Sequence, residues 1–156
     1  MGGFVRRASV ITGTVAVALI SCCPSLRADE TPTNCAKDDF ESVVEVAAGS
    51  LRDLNNQNRP VFQEKLRALK EKRNWSHDEF IDKAKPFVKD DKTAVYDQTT
   101  DDLLSAIASM GQEGAAASTP NCALMVDLRT RMKALVDAQT AKWSYMFQKL
   151  DAELAK

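Results

Sequence analysis

The sequence predicts an all-α protein: a single-domain bundle of about five helices, with a long C-terminal helix and one disulfide. Three observations carry this expectation. After residue 36, apolar residues recur at steps of three and four, the spacing of helix faces. Caps and breakers punctuate that pattern, and no stretch shows the two-residue alternation of a half-buried strand. Finally, the phrase Asn-Cys-Ala occurs twice, at Cys35 and at Cys122, each time opening an apolar-patterned segment.

The first 28 residues differ from the rest. Arg6 and Arg7 precede an apolar run at residues 10–20, and the small-residue end at Ala28 follows. Basic, apolar and then small is the order of a secretory signal peptide, and the run is too short to span a bilayer. Cleavage after Ala28 would leave a domain of residues 29–156 without an integral membrane span, periplasmic or secreted. A second reading takes residues 19–22, Leu-Ile-Ser-Cys, which resemble a lipoprotein box, and acylates Cys22. Cysteine arithmetic favours the first reading. It removes Cys22 and Cys23 together and leaves Cys35 and Cys122 as an even pair, expected as a disulfide in an exported chain.

The first expected helix has the stripe Phe40, Val44, Ala47, Leu51 and Leu54, and ends at the Asn-rich tract 55–58. A second covers residues 59–73 with Phe62, Leu66 and Leu69. Ser76 and Glu79 form a capping box for a third, carrying Phe80, Ile81, Ala84 and Phe87 and closed near Pro86. Thr100 is the expected cap of a fourth, with Asp101 and Asp102 in its first turn and Leu103, Leu104, Ile107 and Met110 inside. The stretch Gly-Gln-Glu-Gly at 111–114 and the residues after it read as a break. Thr119 and Pro120 then serve as N-cap and N1 of a fifth helix reaching Lys156. Five alternating helices make the first and last parallel, so Cys35 and Cys122 meet at one end.

Charge and motifs exclude several functions. Residues 29–156 hold 18 bases against 22 acids, a net charge of −4, which disfavours nucleic acid and anionic membranes as partners. Residues 59–73 carry six bases and residues 90–113 six acids, which suggests complementary neighbouring helices. No zinc-protease motif, calcium loop, haem-attachment motif or phosphate loop appears, so no cofactor or metal is expected. The lone His77 falls in a capping turn. Glu41 and Glu45 share a helix face, but such pairs arise readily among 22 acids. Asn74-Trp75-Ser76 is a formal glycosylation sequon whose serine already serves as a cap.

What remains is a non-enzymatic module for protein interaction, in broad plan comparable to an envelope chaperone or inhibitor. A 20-residue first helix could not cover a fifth helix of about 35 residues. Trp143, Met146, Phe147 and Leu150 are therefore expected to overhang the bundle and bind another protein or a second copy. The alternative is a secreted carrier of an apolar small ligand such as haem, with His77, Tyr96 or Tyr145 as ligand.

Overall fold

The computed structural model describes Cys35 and residues 37–156. The expected leader at 1–28, with its cleavage point and Cys22, lies outside the described residues. Those described form four helices: α1 (Lys37–Lys72), α2 (His77–Val88), α3 (Asp91–Ala116) and α4 (Cys122–Leu154). The all-helical class therefore holds, but the count of five does not.

The discrepancy lies at residues 55–60. The expected first and second helices are one continuous 36-residue α1, running through the Asn-rich tract and Pro60. Asparagine propagates a helix poorly, at roughly 0.5 kcal/mol or more per residue relative to alanine, and an interior proline costs about 3 kcal/mol. Tertiary contacts override both. The core-facing line Ala47, Leu51, Leu54, Asn58 and Phe62 crosses the tract without losing register, and the Asn58 amide bonds back to the Leu54 carbonyl at 2.7 Å. Asn55 accepts a bond from the Trp143 indole of α4 at 3.3 Å.

Three other boundaries shift. The helix expected to start at Thr100 starts at Asp91, where Asp90 and Thr93 form a reciprocal capping box (2.8 and 2.7 Å). Thr100 lies mid-helix and accepts a bond from Gln139 of α4 at 2.7 Å. α3 then continues through Gly111 and Gly114 to Ala116. The N-cap of α4 is Asn121 rather than Thr119: its side chain accepts from the Leu124 amide at 3.1 Å, and Pro120 precedes the helix. The Ser76–Glu79 capping box of α2 is present as expected.

α1 and α4 lie parallel. Contacts between them keep a nearly constant offset: Cys35 with Cys122, Asn55 with Trp143, Lys65 with Asp151 and Lys72 with Leu154. α3 runs antiparallel to α4, since Asp90 meets Lys149, Asp97 meets Lys142 and Thr100 meets Gln139. α2 lies at the end where α1 and α4 finish, bridging the end of α1 to the start of α3. Four helices in simple alternation would separate the cysteines; here three long rods run up, down, up. That odd number brings Cys35 and Cys122 together, joined with a Cα–Cα distance of 5.2 Å, within the normal range for a disulfide.

The core has two apolar clusters. Near the disulfide, Ala47, Met110, Leu124, Leu128 and Met132 are buried with Phe40, Val43, Ile107 and Val136 against them. At the other end, Phe62, Leu69, Met146 and Leu150 are buried, packed by Leu66, Trp75, Phe87, Trp143, Phe147 and Leu154. The Thr100–Gln139 and Asn55–Trp143 bonds cross the helices between them.

The expected overhang of the last helix is corrected by this second cluster. α1 is 36 residues long and ends beside Leu154, so it covers α4 along its whole length. Met146 and Leu150 are buried, which stabilises the fold by roughly 1.5–3 kcal/mol for each side chain. Trp143 and Phe147 are half-buried and meet the edge of Phe62, at centroid distances of 5.8 and 5.6 Å. These four side chains serve the interior.

Candidate interaction groove

α1 and α3 each pack along α4 and make little contact with each other among the described residues. At the disulfide end, between the start of α1 and the end of α3, lies a groove of about 680 Å³. Phe40 and Val44 of α1 and Leu128 of α4 give it an apolar lining, and Cys35 is also part of the lining. The opposite wall is the end of α3 with the segment to Asn121: Gly111, Gly114, Ala115, Ala117, Ser118, Thr119 and Pro120. Val44 keeps 43% of its surface exposed although it belongs to the apolar stripe of α1.

The two glycines of the wall differ. At Gly114 a Cβ would make ordinary contacts, 3.4 Å from Leu124 Cδ2 and 3.8 Å from Phe40 Cε1, so this position borders packed neighbours. At Gly111 the same position meets no atom within 4 Å. A mid-helix glycine costs about 1 kcal/mol relative to alanine, and no neighbour would obstruct a methyl group at Gly111.

Charge surrounds the groove. Glu41 and Glu45 stand on its α1 side, forming exposed ion pairs with Lys37 at 3.7 Å and Arg52 at 2.9 Å. α3 has no base in its last turn, but α1 and α4 begin at this same end and Lys37 is in the lining, so helix ends of both signs meet here. The carboxylate pair Glu41/Glu45 thus belongs to a rim. Among the described residues, no group of three His, Cys, Asp or Glu side chains could hold a metal ion.

A second, smaller hollow of about 380 Å³ lies between α1 and α4. Val43, Val46, Met132 and Val136 line it, with Arg129 and Asp137 among its polar residues.

The candidate haem ligands lie elsewhere. His77 is exposed at the start of α2. The Tyr145 hydroxyl donates to Asp90 at 2.8 Å, and its ring sits 6.4 Å from that of Tyr96. Lys149 also bonds Asp90, and the Lys92 ammonium lies 4.3 Å from the Tyr145 ring centroid. The Lys149 ammonium, with the Thr93 amide, holds the Asp90 carboxyl far below its usual range, and the bond to Asp90 raises Tyr145. This network anchors the start of α3 to α4. None of the three candidate ligands lines either hollow.

The charged segments find partners through the central helix rather than in each other. Lys65 and Arg73 of α1 pair with Asp151 and Glu153 of α4, while Asp90 and Asp97 beside and within α3 pair with Lys149 and Lys142.

The groove itself was absent from the expectations, because residues 111–119 read as a loop. Two glycines three residues apart, with Ile107 and Met110 each four positions before one of them, were the available signal of a helix with one thin side. Compared with protein-family models, curated proteins and solved structures, the chain matches none of them.

Proposed function

We propose that this protein is an exported, non-enzymatic interaction module that takes an apolar segment of another protein into the groove between α1 and α3. The observation that carries the reading is the 680 Å³ groove itself, bounded by apolar side chains and by a helix wall made thin by glycine and alanine. Stable partner surfaces centre on apolar hollows ringed by polar groups, and the rim of Glu41, Glu45 and Lys37 fits that plan. Export is supported by the apolar run after Arg6 and Arg7 and by the cysteine pair.

Gly111→Trp tests the reading, because open space surrounds that position. Affinity capture from the native host's envelope should recover a partner with wild-type protein and lose it with this variant, with helical circular dichroism unchanged. Identical capture by both would sink the groove as the binding surface. N-terminal sequencing of the native protein should begin at Asp29; an acylated Cys22 start would assign it to the membrane surface instead. The haem-carrier alternative finds none of His77, Tyr96 and Tyr145 at either hollow, and an unchanged Soret band on hemin titration is the expected result.

A further inference from the structure

We infer that the smaller hollow, between α1 and α4, binds a single-chain amphiphile: an alkyl chain whose carboxylate head is held by Arg129. The hollow shares no lining residue with the groove at α3. On α1 its lining runs from Asp39 to Ser50, about 16 Å at the helical rise, and on the parallel α4 from Arg129 to Asp137. Spread over that length, its 380 Å³ leaves a cross-section of roughly 23 Å². A helix about 10 Å across needs roughly 80 Å² and is far too wide to enter. An extended peptide would lay its N–H and C=O groups against helices whose own backbone groups are already paired, so they would go unbonded. An alkyl chain brings no such groups.

Sites for small ligands combine an apolar lining with a few polar groups that fix orientation. Val43, Val46, Met132 and Val136 supply the lining here. Val46 keeps 67% of its surface exposed, so a chain lying over it removes apolar area from water. The polar group is Arg129. Of the five bases on α4, Arg131, Lys133, Lys142 and Lys149 each reach a carboxylate. Arg129 reaches none among the described residues.

The other charges of the lining do not cancel it. Lys133 and Asp137 neutralise each other at 2.6 Å. Asp39 stands in the first turn of α1, where its carboxylate answers the positive end of that helix. α4 begins with no acid in its first turn, so its own positive end does not oppose an anion. α3 contributes nothing to this lining. The guanidinium fork of Arg129 matches a carboxylate through two parallel bonds. The offset between the parallel helices, as in Cys35 with Cys122, puts Arg129 level with Ser42, near the disulfide end. The head therefore sits at that end and the chain runs past Val46 and Met132 towards Val136.

Isothermal titration of the oxidised full chain with dodecanoate, kept below its micelle concentration, tests this. Butyrate keeps the head without the long chain, and dodecyltrimethylammonium keeps the chain with the opposite charge. Dodecanoate should bind one to one and at least tenfold tighter than either. Arg129→Gln should weaken it about tenfold, the scale of one charge-assisted pair, and Arg129→Lys should weaken it less. Val46→Asp, at an exposed position where helical circular dichroism should be unchanged, should weaken it tenfold or more. Gly111→Trp, in the other groove, should leave it unaltered. Equal affinity for the two dodecyl ligands, or for wild type and Arg129→Gln, would overturn the inference. Many equivalents bound without saturation would mean detergent action on the surface and do the same. Loss of dodecanoate binding with Gly111→Trp would place the ligand between α1 and α3, sinking this site while leaving the groove standing.

Discussion

Gly111 and Gly114, three residues apart on α3, show how one residue type can serve two purposes. A side chain at Gly114 would start in contact with Leu124 and Phe40, whereas Gly111 borders open space. Gly111→Ala should therefore stabilise the protein by roughly 0.5–1 kcal/mol, the usual gain for replacing a helical glycine. Larger side chains should separate the two positions. Gly111→Leu is expected to be tolerated, while Gly114→Leu forces its chain against Leu124 and should destabilise by roughly 1–3 kcal/mol. Urea unfolding of the three variants checks this; equal effects of leucine at both positions would mean the two environments do not differ. In sequence, both residues read as one loop signal, because a glycine spared for contact and a glycine facing a groove look alike.

For the helices, legibility depended on whether local propensity or packing decided the outcome. The Ser76–Glu79 box was legible because its partners are three residues apart and need nothing else. The continuity of α1 was not, because the residues that hold 55–60 helical lie on α4, nearly ninety positions away in sequence. Pro60→Ala distinguishes the two architectures. In a continuous α1 it relieves an interior proline and should raise stability by about 1–2 kcal/mol after the entropy gained by the unfolded chain. With a separate helix beginning near residue 59, Pro60 would sit in a favourable first turn and the substitution would destabilise. Thermal melts decide the sign. The cap of α3 was misread for a similar reason: Thr100 had the right type and followers, but Asp90 also gains Lys149 and Tyr145 from α4.

Those caps make acid stability a property of particular helix ends. The Asp90 carboxyl is held well below its ordinary value of 3.8 by Lys149 and the Thr93 amide. Glu79 is lowered to about 2 by the Ser76 amide and Lys83. Both folded values are depressed relative to the unfolded chain, whose carboxylates titrate near pH 4. Their stabilisation is therefore complete above that pH and is lost as pH falls through the folded values. The melting temperature should be nearly level from pH 7 to about 5 and fall below about 4. Asp90→Asn should melt lower at pH 7, and its gap to wild type should narrow steadily as pH falls from 4 to 2. Parallel curves across that range would show that the Asp90 charge contributes nothing.

At the scale of the whole molecule, two apolar clusters and one covalent bridge divide the stabilising work unequally. The cluster around Phe62, Leu69, Met146 and Leu150 is closed by α1, α4 and aromatic residues next to and within α2. The cluster near the groove holds smaller α1 side chains, Ala47 and Val43 besides Phe40, and α3 contributes glycine-thinned helix. The disulfide ties α1 to α4 beside this weaker end, across a separation of 87 residues. Its loss should cost about 4–5 kcal/mol in the chain-entropy model. The cost should also be local before it is global: without the bridge, the apolar contacts that hold the first turns of α1 are those of Phe40, Val43 and Ala47. Hydrogen exchange of Cys35→Ser/Cys122→Ser should therefore quicken at residues 37–47 far more than at residues 62–72. Uniform quickening along α1 would mean that the bridge stabilises the bundle as one unit rather than its groove end.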